Sequence, residues 1–382
     1  MPTDNHWANR AIQHARHLAD RVGPRGANTP EEKRAADYVL AQLQASGVSQ
    51  ARSEPFRAGR SGWLPVAMVF SMAVWGSLIC WAGFYLTSRV APGALIGAVL
   101  CLLAAWLIYR HFTFRSYPLR RWLARESSQN IVGRIPSVEA AKQRVVLVAN
   151  LDTPPDAWVF RTPCRARLFR LLLTLAGVSL AVSVIMFVLG ALEAWSWAFI
   201  VATICGFVQG SGVLLAIQAD QGDYSPDANT TGSALGAWLA LATELVQTPL
   251  RQTEVWLVAG GSQTSDNSGL RAFIDQHHGE LDQAWFIGFE RVGVGDQIVS
   301  VNNGGRVQPN VQKLLDELEI PQGPHRPIGL PTPIEAARIF GYRALCLSVH
   351  VDRPLTSASQ LQISAFQSVL QTTERLLQHL DK

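Results

Sequence analysis

The chain has 382 residues, room for one large domain or two ordinary ones, and its 33 basic and 29 acidic residues leave a formal charge of only +4. That balance excludes the basic footprint of a nucleic-acid-binding protein. Charged residues make up 16% of the chain, against about a quarter in ordinary soluble domains, and the mean hydropathy of +0.12 argues against a purely soluble chain. Cys80, Cys101, Cys164, Cys205 and Cys346 form no C-x-x-C pair, and three of them lie in apolar runs. They make neither a disulfide framework nor a zinc-finger set.

In chain order, residues 7–22 carry apolar side chains at helical spacing, and Thr29-Pro30-Glu31-Glu32 supplies a helix cap before a helix over 35–43. Residues 61–88 and 90–109 are two uncharged stretches long enough to cross a bilayer. Strands follow over 130–135 and 144–151, the second a continuous apolar run suited to a buried position. Residues 171–192 and 194–219 are a second pair of spans. Thereafter helix and strand alternate: helix 233–245, strand 254–259, helix 270–277, strand 284–289, strand 344–349 and a C-terminal helix over 359–380.

Each pair of spans reads as a hairpin, because Arg89 and Pro92 separate the first two and Gly190, Glu193 and Trp195 the last two. The first span begins after a polar segment of 60 residues, too late for a cleavable signal peptide. Four spans put 1–60, 110–170 and 220–382 on one side. Arginines from Arg57 and Arg60 through Arg110, Arg115, Arg120, Arg121 and Arg125 to Arg161, Arg165, Arg167 and Arg170 flank the membrane there, against Arg89 alone on the other. The positive-inside rule then predicts a multi-pass integral membrane protein with its polar bulk in the cytoplasm and lipids among its partners. Trp63, Trp195 and Trp197 near the span ends suit an interfacial belt or packing between helices. The spans contain no ionisable Asp, Glu, Lys, Arg or His, which disfavours a transporter.

With the hairpins (61–110 and 169–219) set aside, segments 1–60, 111–168 and 220–382 read as one α/β domain with a mostly parallel mixed sheet covered by helices. The order of its local patterns resembles the zinc exopeptidase family that contains bacterial aminopeptidases, glutamate carboxypeptidase, the transferrin receptor and nicastrin. His14-Ala-Arg-His-Leu-Ala-Asp-Arg-Val-Gly-Pro-Arg25 and the helix with Ala35-Ala36-Asp37-Tyr38 are similar to its opening helices. Asn130-Ile-Val-Gly-Arg-Ile-Pro136 is similar to "N-V-I-G-R-I-P", and the strand over 145–153 to the one ending in "H-x-D-[ST]". Ser225-Pro-Asp-Ala-Asn-Thr-Thr-Gly-Ser-Ala234 resembles "S-P-G-A-N-D-N-A-S-G". Residues 262–273 fall where the family has "A-E-E-E-G-L-L-G-S-R-A-F", with Gly269, Arg271, Ala272 and Phe273 matching. Ile287-Gly-Phe-Glu-Arg-Val-Gly293 is similar to "N-L-D-M-V-G", and Arg353-Pro-Leu-Thr-Ser-Ala-Ser-Gln-Leu361 to "Y-H-T-P-S-D-T-L".

The resemblance implies a two-zinc site held by His and carboxylates, with a general-base Glu beside the metal-bound water. Role by role, it places the first His ligand on Asn150, the bridging Asp on Thr230, the base and ligand glutamates on Gln263 and Thr264, and the last His on Leu355. Only Glu290, at a ligand position, and Asp152, which would orient the first His, remain carboxylates. The expectation is an inactive, peptidase-like domain without metal or other cofactor and without catalytic residues. Asp227, Asp266, His350, Asp352 and His325 are the alternative donors for a rebuilt site, although such residues near strand ends are more often surface or capping groups. Asn302-Asn303-Gly304-Gly305 reads as a tight turn rather than a phosphate loop. Ser262, Ser265 and Ser268 near Asp266 read as loop caps rather than nucleophiles.

The second hairpin enters between the strand ending at Asp152 and the segment around Asn229, consecutive walls of the site in the resembled family. The expected function is therefore that of a scaffold or accessory subunit in a complex with other membrane proteins, its vestigial pocket turned to holding a partner's segment or a lipid head group. The alternatives are a divergent metallo-exopeptidase, which requires zinc, and a small-molecule or lipid receptor, which requires an open pocket.

Overall fold

A computed structural model describes residues 5–87, 90–115, 117–193, 196–224, 228–303, 307–324, 331–350 and 360–382. The chain forms two compact units, one of residues 1–60, 124–154 and 224–382, the other of 61–123 and 155–223. Residues 111–123 and 155–168, read from the sequence as part of the α/β domain, thus go with the apolar helices.

The first unit opens with α1 (Asn5–Arg16), continued by a π-helical turn, His17–Val22, that stops at Gly23 with φ +83. In α2 (Pro30–Ala45) the cap is as the sequence predicts: Pro30 opens the helix and Thr29 Oγ1 accepts from Glu32 N at 3.3 Å. The strands are β1 (Ser49–Ala58), β2 (Glu126–Ile135), β3 (Gln143–Asn150), β4 (Thr253–Gly260), β5 (Trp285–Phe289), β6 (Gln297–Val301) and β7 (Arg343–His350), in the sheet order β1-β2-β4-β3-β5-β7-β6. The centre, β4-β3-β5-β7, is parallel, whereas β1-β2, β2-β4 and β6-β7 are antiparallel. The sheet is mixed, and parallel only where both faces are buried.

Alternation along β3 shows why. Val145, Leu147 and Ala149 join one core with α1, α2, α8 (Ser233–Gln247) and α13 (Ile363–Leu380). Val146 and Val148 join the opposite core with α10 (Ser268–His277) and α12 (Glu335–Ile339). A strand buried on both faces needs a continuous apolar run, and β3 has one. The helix α8 is buried almost all round, and Trp238 Nε1 donates to Leu147 O at 2.9 Å. It passes so close to α1 that a Cβ on Gly236 would lie 2.3 Å from Ala11 O.

The second unit holds α3 (Leu64–Thr87), α4 (Val90–Phe112), the short α5 (Pro118–Leu123), a 3-10 turn at Trp158–Phe160, α6 (Pro163–Glu193) and α7 (Ser196–Asp220). Four of these helices are long and apolar enough to cross a membrane. They present large apolar side chains outward, among them Trp75, Val99, Leu192 and Phe207, the last 78% exposed. Glycines bring α3 and α4 together: a Cβ on Gly97 would lie 2.9 Å from Gly76 O. The one amide in the packed interior, Gln209 on α7, donates to Ser183 Oγ on α6 at 2.9 Å. Trp63 is 5% exposed and sits among Phe112, Phe160 and Phe169, so it packs between helices rather than forming a belt. Trp197 is exposed, and Trp195 lies outside the described residues.

The remaining helices of the first unit are α9 (Gln263–Asp266) and α11 (Pro309–Glu317). The C-terminal helix begins at Ile363 rather than 359, because Gln362 before it is extended (φ −106, ψ 127); Ser359 and the glycines of the predicted turn at 302–305 lie outside the described residues.

Candidate functional site

In the register, Asn150 is level with Gly260, and Phe289 with Leu347, so the carboxyl ends of β3, β4, β5 and β7 finish at one edge of the sheet. That edge is where open α/β sheets place ligand crevices. Two glycines let the loops converge there. A Cβ on Gly261 would meet Gln129 O at 2.4 Å, and one on Gly269 would meet Gly261 O at 2.4 Å. The loop between β4 and α10 bends through Ser262 (φ +46) and Asn267 (φ +58). Asn267 pins it, with Nδ2 donating to Thr332 O at 3.0 Å and Oδ1 accepting from Ala336 N at 3.0 Å.

Asp152, just past β3, is fully buried and organises this loop. Its Oδ1 accepts from Gln263 N at 2.9 Å, and its Oδ2 accepts from Thr264 N at 2.9 Å and Thr264 Oγ1 at 2.5 Å. The Gln263 side chain is bonded to backbone at both ends: Nε2 donates to Pro333 O at 2.9 Å and Oε1 accepts from Leu270 N at 2.8 Å.

Two further buried ionisable side chains, absent from the sequence-predicted set, complete the cluster. Arg25 is 1% exposed. Its guanidinium donates to Leu151 O (3.0 Å), Leu18 O (2.7 Å) and Thr231 Oγ1 (3.0 Å), tying α1, β3 and the segment before α8 together. Glu32 accepts from Ser262 N at 2.5 Å, Asn28 N at 2.8 Å and Ser128 Oγ at 3.1 Å. Burial pushes the Glu32 carboxyl up to about 8, and the charge of Asp152 adds to the rise against those three donors. Burial likewise raises Asp152 against its own donors. The Arg25 guanidinium is pushed down to about 10 by burial, with Asp152 opposing the shift.

Around this frame lies a cavity of about 40 Å³ lined by Asn150, Pro154, Thr230, Thr231, Thr264, Glu290, Arg291 and Pro331. The structure therefore brings together Asn150, Thr230, Thr264 and Glu290, places Asp152 and Gln263 behind them, and leaves Leu355 outside the described residues. Asn229 Oδ1 accepts from Gly293 N at 2.9 Å, and Thr230 O accepts from Arg291 N at 3.3 Å, which fixes the two walls against each other. Asn150 is 5% exposed, and its Oδ1 has no hydrogen-bond partner among the described residues.

Solved structures of similar architecture include a zinc aminopeptidase from Bacillus subtilis (TM-score 0.52, 11% identity, 98% of this chain and 95% of that one) and a Zn-dependent exopeptidase from Parabacteroides distasonis (0.54, 11%, 97% and 97%). The fold is that of the zinc exopeptidases. Porphyromonas gingivalis glutaminyl cyclase is similar to the same degree (0.53, 12%, 98% and 98%). No protein-family profile matches the sequence, and no curated protein sequence does either.

Among the described residues, the lining does not fit the zinc implied by the zinc-exopeptidase fold. Glu290 is the one carboxylate among the described residues of the cavity wall, beside an amide and threonine hydroxyls. Among the described residues, no group of three or more His, Cys, Asp or Glu could hold a metal ion. Tight zinc sites need three or four nitrogen, sulfur or carboxylate ligands. Of the alternative donors, Asp227, Asp352 and His325 lie outside the described residues, and Asp266 and His350 are not on the cavity wall. Ser262 Oγ lies 3.3 Å from Gly59 O and from Ser265 Oγ, and Ser268 Oγ donates to Asp266, a set of loop caps. The sequence signal for Glu32 was the Thr29-x-x-Glu32 spacing of a capping box, but its carboxylate reaches Asn28 and Ser262 instead.

Proposed function

We propose that this protein is a membrane-embedded, catalytically inactive relative of the zinc peptidases that acts as a scaffold or accessory subunit of a membrane complex. The observation that carries this reading is the fate of the position where the resemblance places a glutamate. The buried Gln263 amide is hydrogen-bonded at both ends to backbone, and the neighbouring Thr264 is hydrogen-bonded to Asp152. A group held so can neither take a proton from water nor bind a cation. The four long apolar helices support insertion in a bilayer, and the arginine distribution supports a cytoplasmic position for the α/β unit. The walls at Asn150, Thr230 and Glu290 then serve to hold a segment of a membrane partner.

The deciding measurement is the zinc content of the detergent-purified full chain after mild dialysis against a weak chelator. The expected result is no bound metal and no hydrolysis of aminoacyl amides with zinc supplied. Near-stoichiometric zinc overturns the reading in favour of a divergent exopeptidase. Bulky substitutions at Asn150 and Glu290 should weaken capture of the partner, and unchanged capture would remove the pocket from its function.

A further inference from the structure

We infer that the arginine-rich end of the helical unit is a binding surface for the phosphate groups of anionic phospholipids. The inference rests on the reading that α3, α4, α6 and α7 cross a membrane. One end of this unit is defined by its own contacts: Ser61 Oγ donates to Asp220 Oδ1 at 2.5 Å, and the Trp63 ring lies 5.2 to 6.3 Å from Phe112, Phe160 and Phe169. The start of α3, the ends of α4 and α7, and the start of α6 therefore meet there. Segments 61–123 and 155–223 contain nine arginines, three aspartates and one glutamate, and all but Arg89 and Glu193 belong to this end.

Four of these cations meet no carboxylate among the described residues. Arg161 pairs with Asp156 at 3.3 Å, but Arg115, Arg121, Arg167 and Arg170 are exposed and have no acidic partner among the described residues. Aromatic rings stand among them. Trp158 is 54% exposed under the Arg165 guanidinium at 4.3 Å, and Trp122, 55% exposed, follows Arg121 on α5, a helix with no buried residue. The same stretch of α6 passes directly into exposed Leu168 and Leu171. Guanidinium groups beside amphipathic rings, at the point where an apolar surface begins, match the phosphate level of a bilayer. Arginine forks favour phosphate over a diffuse negative charge.

The test uses the full chain in phosphatidylcholine vesicles with and without phosphatidylglycerol, and compares it with the triple variant R165Q/R167Q/R170Q. Resistance to carbonate extraction from pure phosphatidylcholine vesicles reports the membrane reading by itself; extraction there refutes that reading and this inference with it. For protein that resists extraction, the readout is phosphatidylglycerol retained over phosphatidylcholine after detergent exchange. Each arginine near an anionic surface is worth about fivefold in partitioning, so the triple variant should lose most of the preference, and added salt should weaken it. Equal retention by the wild-type protein and a folded variant, or no preference in the wild type, overturns the inference. Full displacement by inorganic phosphate also overturns it, because the site would then be one for free phosphate.

Discussion

Asp152→Asn tests whether the buried carboxylate holds the pocket loop. The carboxylate accepts three hydrogen bonds, and an asparagine keeps an acceptor on one side only. With its oxygen toward Gln263 N, its NH2 faces Thr264 N; the Thr264 hydroxyl can turn to accept, but the buried backbone donor cannot. An orphaned buried donor costs about 1–3 kcal/mol. Arg25 also loses the negative charge that opposes its desolvation, while Glu32 is relieved of repulsion. We expect a net loss of about 2 kcal/mol. Cys346, buried in β7, is the one cysteine of the α/β unit, so peptide-resolved alkylation of its thiol in rising urea reports that unit alone. At a typical slope of about 2 kcal/mol per molar urea the midpoint should fall by roughly 1 M. An unchanged midpoint would refute the claim that Asp152 organises the loop.

Three other perturbations address separate parts of the structure. The Glu32 carboxyl, at about 8, lies above its ordinary value of 4.5, so the folded state binds the proton more tightly; the associated stability is full below about 4.5 and is lost as pH rises through 8. Cys346 protection should therefore decline across that window in the wild type and stay flatter in Glu32→Gln; parallel curves would remove Glu32 as the titrating group. Gln263→Glu sets a carboxylate oxygen against Pro333 O, and should lower the urea midpoint by roughly 1 M, for about 2 kcal/mol, without raising zinc content; metal binding by the variant would contradict the ligand argument. Gly97→Val forces a side chain against Gly76 O and Phe187, and should separate α3 from α4, read as faster alkylation of Cys80 and Cys101 in detergent; unchanged rates would show that the helices do not depend on that contact.

The parts of this structure legible in the sequence are those where one local pattern suffices. The long helices are apolar on every face, and β3 is apolar at every position from Val145 to Ala149, so neither needs a partner to be recognised. Their ends do need one: α6 begins at Pro163, before its arginines, because Thr162 Oγ1 accepts from Arg165 N at 3.3 Å and the turn at Trp158–Phe160 precedes it. The edge strands were silent for a similar reason. In β1, Ser-Gln-Ala-Arg-Ser-Glu-Pro-Phe-Arg-Ala shows no alternation, and antiparallel pairing with β2 alone makes it a strand.

The polar centre was half legible, and the missing half is the buried framework beneath the lining. Motif order located Asn150, Thr230 and Glu290, but no local pattern marks Arg25, and the capping-box spacing marks Glu32 only as a helix cap, since burial of an ionisable group depends on segments far apart in sequence: Arg25 bonds to Leu151 and Thr231, Glu32 to Ser128 and Ser262. These two side chains and Asp152 carry the hydrogen bonds that hold the turn after α1, the end of β3 and the loop after β4 together, and none of them stands on the cavity wall. The framework thus meets the lining only at Thr231, which accepts from Arg25, and Thr264, which donates to Asp152, and not at Asn150, Thr230 or Glu290. Replacing Asn150, Thr230 or Glu290 removes none of these framework hydrogen bonds, whereas replacing Arg25, Glu32 or Asp152 leaves buried partners unpaired, which costs several times more than any exposed ion pair contributes. On this argument those three positions of the lining are free to vary while the sheet edge beneath them stays fixed.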